Sequence, residues 1–328
     1  MSLPDGIEEF LASAGWQGAA IDPLPGDASF RRYFRIRAQE SGGGGKTAML
    51  MDAPPPNEDP GPFLDVAHWL TAHGHRAPAI HAEDRSRGLV LLEDFGADRM
   101  RDWLDLNPKA ELETYRGAID ALVKLHRSPP GPFAPYDMAV YQREAGLFPE
   151  WYCPAAGIEV DAESYAAAWD EVMAPVVARQ APGVTVLRDY HAENIMLLPR
   201  GEQGLIDFQD ALVGHPAYDI VSLLQDARRD VSPELERVML DHYLEQADAG
   251  PEFLADYARL GAQRNAKIVG IFARLWKRDG KPRYLAFIPR VWEALERDLA
   301  HPALEPVARW FDANIPPEMR ERRGGGLG

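Results

Sequence analysis

The sequence predicts an α+β fold with a small β-rich amino-terminal lobe and a larger, mostly helical carboxy-terminal lobe. About the first ninety residues contain strand-like alternation and one main amphipathic helix. After Phe95, apolar residues recur with helical spacing, and the remaining strand-like segments are short. The 328 residues are enough for two lobes around a cleft.

The amino-terminal elements follow from their apolar spacing. Ile7, Phe10 and Leu11 stand at the i, i+3, i+4 spacing of a short helix. Phe34 and Ile36 alternate with more polar neighbours, which predicts a strand. Further predicted elements are strands in TAMLMD and GLVLLE and a helix over residues 62–73.

Helical periodicity dominates the rest of the chain. The predicted helices cover 110–127, 163–180, 217–229, 233–248, 252–277 and 290–299, with short strands in VTVLRDY, NIMLLP and GLIDF. The change from strand-like alternation to helical periodicity predicts two lobes, 1–92 and 93–328, with 93–96 as a hinge. The glycine-rich end, about 320–328, is expected to be disordered.

Composition and charge narrow the class of protein. The formal charge is −16, from 35 basic and 51 acidic residues, which argues against a nucleic-acid partner. The single cysteine, Cys153, allows no disulfide within the chain and has no metal-type spacing around it. The amino terminus lacks the basic start of a signal peptide, and no apolar run approaches a membrane span. We therefore expect a cytoplasmic protein with no membrane partner; no pattern indicates its oligomeric state.

The stretch SGGGGKT, residues 41–47, resembles a phosphate-binding loop. The required pattern places a glycine five positions before Gly45, but that position is Glu40, whose charge would repel phosphate. The prolines that soon follow Thr47 forbid the helix whose amino terminus would hold the phosphate. The glycines are therefore interpreted as a flexible hairpin connection between two strands.

The segment VTVLRDYHAENIMLLPRGEQGLIDFQDA, residues 184–211, carries the residues expected to perform chemistry. Asp189 lies in a turn after a strand, Asn194 follows five positions later, and Asp207 ends another short strand. Two oxygen-bearing side chains, Asn194 and Asp207, suit Mg²⁺. A separate aspartate can accept a proton from a hydroxyl group. Together they are the parts of a phosphoryl-transfer site, although Asp189 alone could also be an ordinary turn residue.

These residues resemble the catalytic segments of the aminoglycoside phosphotransferase and protein-kinase-like superfamily. The usual pattern is His-Gly-Asp-x-x-x-x-Asn followed by an aspartate on the next strand. GDASFRRYFR, LMDAPP, LLEDFG, RDYHAENIM and IDFQDALVGHPAYDIVSLLQD further resemble a bacterial subgroup that phosphorylates the anomeric hydroxyl of N-acetylmuramate and N-acetylglucosamine in cell-wall recycling. The matching segments run in order over residues 26–226. The resemblance implies a bilobal protein-kinase-like fold that binds ATP and Mg²⁺.

The resemblance also implies roles for individual residues. Asp189 would be the catalytic base, and Asn194 and Asp207 would hold Mg²⁺ against the ATP phosphates. Asp219 matches a helix position that supports the catalytic loop. Residues expected to bind the nucleotide are Asp27, Ala28, Ser29, Phe30, Arg31 and Arg32, which would cover the phosphates, and Glu93, which lies where the family's backbone binds adenine.

Supporting residues have two interpretations each. His191 could contact substrate or act structurally, and Asp210 could lie near the metal or cap a turn. Asp219 could be purely structural, and Arg31 and Arg32 could be solvated charges. Arg188 stands where the family has glycine, so it is considered as a supporting or substrate residue.

The sequence departs from the family at two points. Leu187-Arg188 replaces His-Gly before the catalytic aspartate, which weakens any expectation of an aminoglycoside substrate. The strand in TAMLMD also lacks the lysine that such kinases use to hold the nucleotide phosphates. Lys46, Arg31, Arg32 or Arg35 could supply that charge.

The predicted function is ATP- and Mg²⁺-dependent phosphorylation of a small molecule, an amino sugar above all. One alternative is a kinase of the same fold acting on an aminoglycoside, choline or another alcohol. The alternative of another class is a pseudokinase-like protein that binds nucleotide without turnover. The missing lysine favours that alternative, whereas the set of Asp189, Asn194 and Asp207 argues against it.

The glycine-rich stretch should be dispensable for chemistry. Replacing the glycines of 42–45 with serine should change kcat by less than about threefold, because the stretch lacks the features of a phosphate loop. Steady-state kinetics with saturating ATP measures this, and Lys46→Ala tests the adjacent charge separately. A loss of about a hundredfold in the serine variant would restore the phosphate-loop interpretation.

Overall fold

Five antiparallel strands form a sheet in the amino-terminal part of the chain. They are β1 Ala20–Pro23, β2 Arg32–Arg37, β3 Thr47–Asp52, β4 Ile80–Asp84 and β5 Leu89–Glu93. In the computed structural model, which describes residues 3–24, 31–38 and 45–327, their spatial order is β1-β2-β3-β5-β4. In the pairing of β2 with β3, Arg32 lies opposite Asp52 at one end and Arg37 lies opposite Thr47 at the other. β2 and β3 are therefore consecutive antiparallel strands, as the hairpin interpretation requires. Residues 39–44, which include most of the glycine-rich stretch, lie outside the described ranges.

One face of this sheet packs against the first helix, α1 Ile7–Ser13. Phe34 and Ile36 of β2 are fully buried, as is Leu50 of β3, because side chains two apart on a strand share a face. Phe10 of α1 joins the same apolar cluster. Burying a side chain of this size stabilises the fold by roughly 1.5–3 kcal/mol, so this face anchors the sheet.

Contacts between residues divide the chain into two units, and neither unit is a continuous stretch. The first comprises Met1–Leu106 and Glu193–Asp210, and the second comprises Asn107–Ala192 and Ala211–Gly328. This division differs from the predicted boundary after residue 92. The predicted hinge, 93–96, falls inside the first unit.

A hairpin explains why Glu193–Asp210 belongs to the first unit. Its strands are β7 Ile195–Leu197 and β8 Gln203–Leu205, which pair with each other. The backbone N–H of Leu197 donates to the Asp98 carbonyl at 2.8 Å, and that of Leu205 donates to the Arg76 carbonyl at 2.8 Å. Backbone bonds of this kind depend on residues distant in sequence, so local patterns do not predict them.

The remaining helices of the first unit are α2 Gly61–Ala72 and α3 Met100–Leu106. The side chain of Asp59 accepts the backbone N–H of Gly61 at 2.8 Å and so satisfies one of the unpaired donors at the start of α2. Phe63 and Leu64 are among the buried residues of α2, in agreement with the predicted amphipathic helix.

The second unit is mostly helical. A two-stranded antiparallel pair joins β6 Val184–Val186 to β9 Leu212–Gly214. The helices are α4 Glu111–His126, α5 Met138–Ala145, α6 Cys153–Ala155, α7 Ala162–Arg179, α8 Ala217–Leu224, α9 Pro233–Gln246, α10 Phe253–Lys277, α11 Ile288–Leu299, α12 Glu305–Asn314 and α13 Pro317–Glu321.

The helix α10 is the centre of the second unit, and it packs against α5, α8 and α11. A Cβ atom at its Gly270 would lie 2.4 Å from the Leu147 carbonyl group, so only glycine permits this close approach. Buried polar residues, Arg264 among them, interrupt its apolar surface. No helix in the described part of the chain combines the length and apolar character needed to cross a membrane.

The six predicted helices after residue 110 are present, but the one predicted over 217–229 ends at Leu224. Gln225 leaves the helical conformation, and the side chain of Asp226 accepts the backbone N–H of Arg228 at 2.8 Å. This local bond stabilises a turn in place of another helical turn.

The prediction of a disordered tail is wrong for residues 320–327. The helix α13 continues to Glu321, and the Tyr152 hydroxyl then donates to the Gly324 carbonyl at 3.0 Å. Gly324 has a φ of +66° and lies directly against the Trp292 ring, where a Cβ atom would come within 2.2 Å. The glycines therefore allow a close turn against an aromatic surface.

Candidate active site

The loop that carries Asp189 follows strand β6. The backbone N–H of Asp189 donates to the Leu187 carbonyl at 2.9 Å, and that of His191 donates to the Asp189 carbonyl at 3.1 Å. These short-range bonds make two successive tight turns. Asp189 is thus held at the tip of an ordered loop of the second unit.

Asp219 of α8 holds this loop in place through two hydrogen bonds. Its side chain is fully buried, and its two oxygens accept the backbone N–H groups of Leu187 at 2.6 Å and Arg188 at 2.8 Å. Burial raises the pKa of Asp219 to about 7, and the two backbone hydrogen bonds oppose that rise. Because both bonds end next to Asp189, Asp219 positions the loop.

Arg188 adopts a backbone conformation that favours glycine. Its φ is +70°, in the left-handed region that costs an ordinary residue roughly 1–2 kcal/mol. Three contacts offset this strain: the bond to Asp219, an ion pair with the buried Glu144, and the Ser222 hydroxyl, which donates to the Arg188 carbonyl at 3.2 Å. The pattern that this segment resembles has glycine here, which adopts a positive φ without strain, whereas this chain places a charged residue at the position.

The side chain of Asp189 lines a pocket in the second unit. Three cationic side chains, Arg228, Arg264 and Lys267, line the same pocket. Burial by itself would raise the pKa of Asp189, but the surrounding positive charges, Lys267 foremost, outweigh it and hold that pKa below its ordinary value. Asp189 is therefore ionised at neutral pH and able to accept a proton.

His191 is buried within the same loop. Its Nε2 lies 3.4 Å from Nη1 of Arg228, and burial holds its pKa below the ordinary value. The imidazole is therefore neutral at neutral pH. Asp226 accepts the backbone N–H of Ala192 at 3.2 Å and so fixes the end of the loop.

Asn194 and Asp207 lie together in the first unit, at the open end of the β7–β8 hairpin. Asn194 precedes β7, and Asp207 follows β8. The Asn194 side-chain amide donates to Oδ2 of Asp207 at 3.3 Å, and the Gln209 amide donates to its Oδ1 at 3.0 Å. Asp207 has a φ of +60° and is exposed. The next residue, Phe208, is buried and stacks on Phe63 at 5.1 Å between ring centroids, which fixes the turn.

The pair of Asn194 and Asp207 fits Mg²⁺. One exposed carboxylate and one amide oxygen are hard ligands, and Mg²⁺ is often held by few protein oxygens together with phosphates and water. Across the described ranges, no three His, Cys, Asp or Glu side chains gather as a cage for a metal. A site shared with a phosphate-bearing ligand is the chemistry this pair can support.

Part of the predicted nucleotide-binding loop lies outside the described residues, namely Asp27, Ala28, Ser29 and Phe30. Of the two arginines that follow, Arg31 pairs with Glu58 at 3.2 Å and Arg32 pairs with Asp52 at 2.5 Å. Both arginine charges are thus balanced by neighbouring carboxylates. Tyr33, the next residue, is uncharged, because burial raises the pKa of its hydroxyl to about 12.

Glu93 ends strand β5, where its carboxylate binds both terminal nitrogens of Arg76 at 2.7 and 2.5 Å. Its backbone N–H donates to the Ala79 carbonyl at 2.9 Å. Its side chain and its N–H are therefore already engaged. Nearby, Arg35 pairs with Asp94 at 2.8 Å, while Lys46 lies 5.2 Å from the centre of the Trp16 ring.

The predicted site residues fall into two groups. The first unit brings Asn194 together with Asp207, and it also contains the exposed Asp210. The second unit joins Arg188, Asp189, His191 and Asp219 in one loop and its anchor. Sequence reasoning missed the residues around that loop, namely Glu144, Asp226, Arg228, Arg264 and Lys267. Asp226 is the last residue of one family-like segment, but no feature of the segment marks it; the other four belong to no motif, and each lies in or near a helix where a charged residue is ordinary.

The chain is similar to known proteins over most of its length. The family described as "Phosphotransferase enzyme family" matches residues 20–262. The chain is 37% identical to the N-acetylmuramate/N-acetylglucosamine kinase of Caulobacter vibrioides, over 95% of this chain and 96% of that protein. It is 39% identical to the kinase of the same name from Pseudomonas putida, over 88% of this chain and 87% of that protein.

Solved structures agree in fold. A choline/ethanolamine kinase family protein from Mesorhizobium loti has a TM-score of 0.62 at 15% identity and covers 94% of this chain and 99% of its own. Choline kinase LicA from Streptococcus pneumoniae has a TM-score of 0.60 at 14% identity and covers 89% and 98%. The predicted α+β, protein-kinase-like fold class is confirmed. The match over residues 20–262 and the identity to full-length relatives show that the chain belongs to the phosphotransferase enzyme family.

Proposed function

We propose that this phosphotransferase moves the γ-phosphoryl group of ATP to the anomeric hydroxyl of N-acetylmuramate or N-acetylglucosamine. The observation that carries the proposal is the likeness, at 35–39% identity and over 83–95% of this chain, to four kinases named for these two sugars. The choline and aminoglycoside kinases share the fold at only 10–18% identity, so they give no comparable support for their substrates. With ATP as donor, the proposed location is the cytoplasm and the proposed setting is cell-wall recycling.

Asp189 is the proposed catalytic base. The sugar hydroxyl oxygen attacks the γ-phosphorus, its proton passes to the Asp189 carboxylate, and the bond to the bridging oxygen of ADP breaks. Two observations support this role. The cations near Asp189 keep it ionised, and Asp219 fixes the loop through two backbone hydrogen bonds. A fixed, ionised carboxylate needs no rearrangement before the proton moves.

Asn194 and Asp207 are the proposed ligands of Mg²⁺. When bound, Mg²⁺ neutralises charge on the phosphates of ATP. Residues 27–32 and the backbone near Glu93 are the proposed contacts to the nucleotide. Arg31, Arg32 or Arg35 would supply the positive charge of the missing lysine.

The identity of the product tests the function. With ATP and Mg²⁺, we expect the purified protein to consume ATP with N-acetylmuramate or N-acetylglucosamine and not with choline or an aminoglycoside. A phosphate on the anomeric carbon blocks the reducing end and is labile to mild acid. The product should therefore fail to reduce copper reagents and should release phosphate in mild acid. A reducing, acid-stable product would contradict anomeric transfer while leaving the kinase activity intact.

The variant Asp189→Asn separates an enzyme from a binding protein. It keeps the shape of the side chain and removes the base, so kcat should fall by about 10²–10³, the lower half of the usual range for a positioned base. The lower half is expected because an anomeric hydroxyl is more acidic than an ordinary alcohol. Affinity for ATP, measured by calorimetry, should stay within a few-fold.

Two outcomes would count against the Asp189 proposal. Normal turnover by Asp189→Asn would show that the base lies elsewhere. If wild type and variant both bind ATP and neither consumes it with any sugar or alcohol offered, the pseudokinase-like alternative is supported. A thermal melt of both proteins serves as the control for folding.

The metal ligands are tested by Asp207→Ala and Asn194→Ala. Asp207→Ala removes the charged ligand, so turnover should be lost at low millimolar Mg²⁺. Asn194→Ala keeps that carboxylate, and higher Mg²⁺ or Mn²⁺ should restore part of its rate. Glu202→Ala, on the same hairpin but paired with Arg76 at 3.4 Å, is the matched control. Normal turnover by Asp207→Ala at low Mg²⁺ would refute the assignment.

A further inference from the structure

A buried arginine beside Asp189 has an unused hydrogen-bond donor. Arg264 of α10 is only 4% exposed and lines the pocket that Asp189 also lines. Its Nη2 donates to the Ser222 hydroxyl at 2.7 Å, whereas its Nη1 is buried with no hydrogen-bond partner within the described chain. A buried guanidinium with an unpaired N–H is unfavourable, so this donor is available to an acceptor atom of a molecule bound in the pocket.

The other charged groups nearby are already committed. Lys267 pairs with Glu144 at 3.1 Å and contacts the Tyr218 hydroxyl at 3.2 Å. Both oxygens of Asp219 accept backbone N–H groups of the catalytic loop. Arg264 therefore differs from Lys267, because its side-chain hydrogen bond goes to a neutral hydroxyl.

The rest of the pocket suits a group with one anionic end and an apolar part. Arg228 adds a second cation to its wall, and Ile268 and Phe272 add apolar surface. Arginine binds carboxylates through planar paired N–H donors. A carboxylate attached to a short carbon chain matches both features.

We propose that this pocket binds a carboxylate substituent of the acceptor, with Arg264 as the main recognition residue and Arg228 as its second cation. The inference rests on the proposed function. N-acetylmuramate is N-acetylglucosamine with a lactyl ether that ends in a carboxylate, so the two sugars differ in the group that Arg264 would bind. The enzyme therefore prefers N-acetylmuramate.

An anion at Arg264 could also come from ATP, and the structure favours the acceptor. The pocket lies wholly within the second unit, beside the proposed base that receives the acceptor's proton. The residues proposed to contact ATP and Mg²⁺ all lie in the first unit. The KM for ATP distinguishes the two sources.

The first test uses the wild-type enzyme with three sugars, N-acetylmuramate, its methyl ester and N-acetylglucosamine. The ester keeps the bulk of the lactyl group and removes its charge. We expect kcat/KM to be roughly 10- to 100-fold higher for the free acid than for the ester, as for loss of a hydrogen bond to a charged group. Equal kcat/KM for acid and ester overturns the inference.

The second test measures how Arg264→Gln changes the ratio of kcat/KM for N-acetylmuramate to that for N-acetylglucosamine. The ratio should fall at least about tenfold, whatever loss the two sugars share. Arg274→Gln is the matched control, since Arg274 is a half-buried arginine on the same helix outside the pocket, and the ratio should not change there. Arg228→Gln should lower the ratio in the same direction, and it supplies the test if Arg264→Gln does not fold.

Three results would contradict the inference in different ways. An equal loss for both sugars in Arg264→Gln shows that Arg264 acts on the loop and not on the carboxylate. A raised KM for ATP with both sugars identifies the bound anion as phosphate. Failure of every sugar to support ATP consumption refutes the proposed function itself, and with it this inference.

Discussion

The buried carboxylate of Asp219 is the constraint on which the catalytic loop depends. Its two oxygens accept the backbone N–H groups of Leu187 and Arg188, which fixes the path of the backbone after β6. That path forces Arg188 into the left-handed region and sets Asp189 at the pocket. Because a buried aspartate loses its hydration, these backbone bonds also compensate Asp219 for being buried. Anchor and loop thus stabilise each other.

A single buried carboxylate, that of Glu144, balances the positive charges next to the catalytic loop. Glu144 is buried, and it binds Arg188, Lys267 and the Tyr136 hydroxyl together. Burial would raise the pKa of Glu144, but the two cations outweigh it and keep the group ionised. Removing Glu144 would leave two cations without their carboxylate, which is far more costly than losing one surface ion pair. The ordered loop, its strained arginine and the pocket lysine therefore share one carboxylate.

Much of the fold could be predicted from the sequence, because the long helices carry continuous apolar spacing. Asp189, Asn194 and Asp207 could also be found, because they lie close together in the sequence with a recognisable spacing. Other features arise only in three dimensions. Glu144 sits on the eight-residue helix α5, and its role depends on cations far away in sequence. The hairpin that contains Asn194 joins the first unit through bonds to residues near 76 and 98. Gly324 has a glycine-rich context typical of disorder, yet an aromatic surface orders it.

The interrupted first unit has a consequence for the order in which the protein is made. A ribosome completes the sheet early, but Leu197 and Leu205, which bond to Asp98 and Arg76, are added only after most of the central segment. Domains tend to fold as they emerge, amino-terminal part first. Here the nascent sheet lacks these two bonds until residues 197 and 205 have been synthesised. Neither unit can therefore be produced in native form as a simple truncation, and a fragment ending before residue 193 would lack Asn194 and Asp207 altogether.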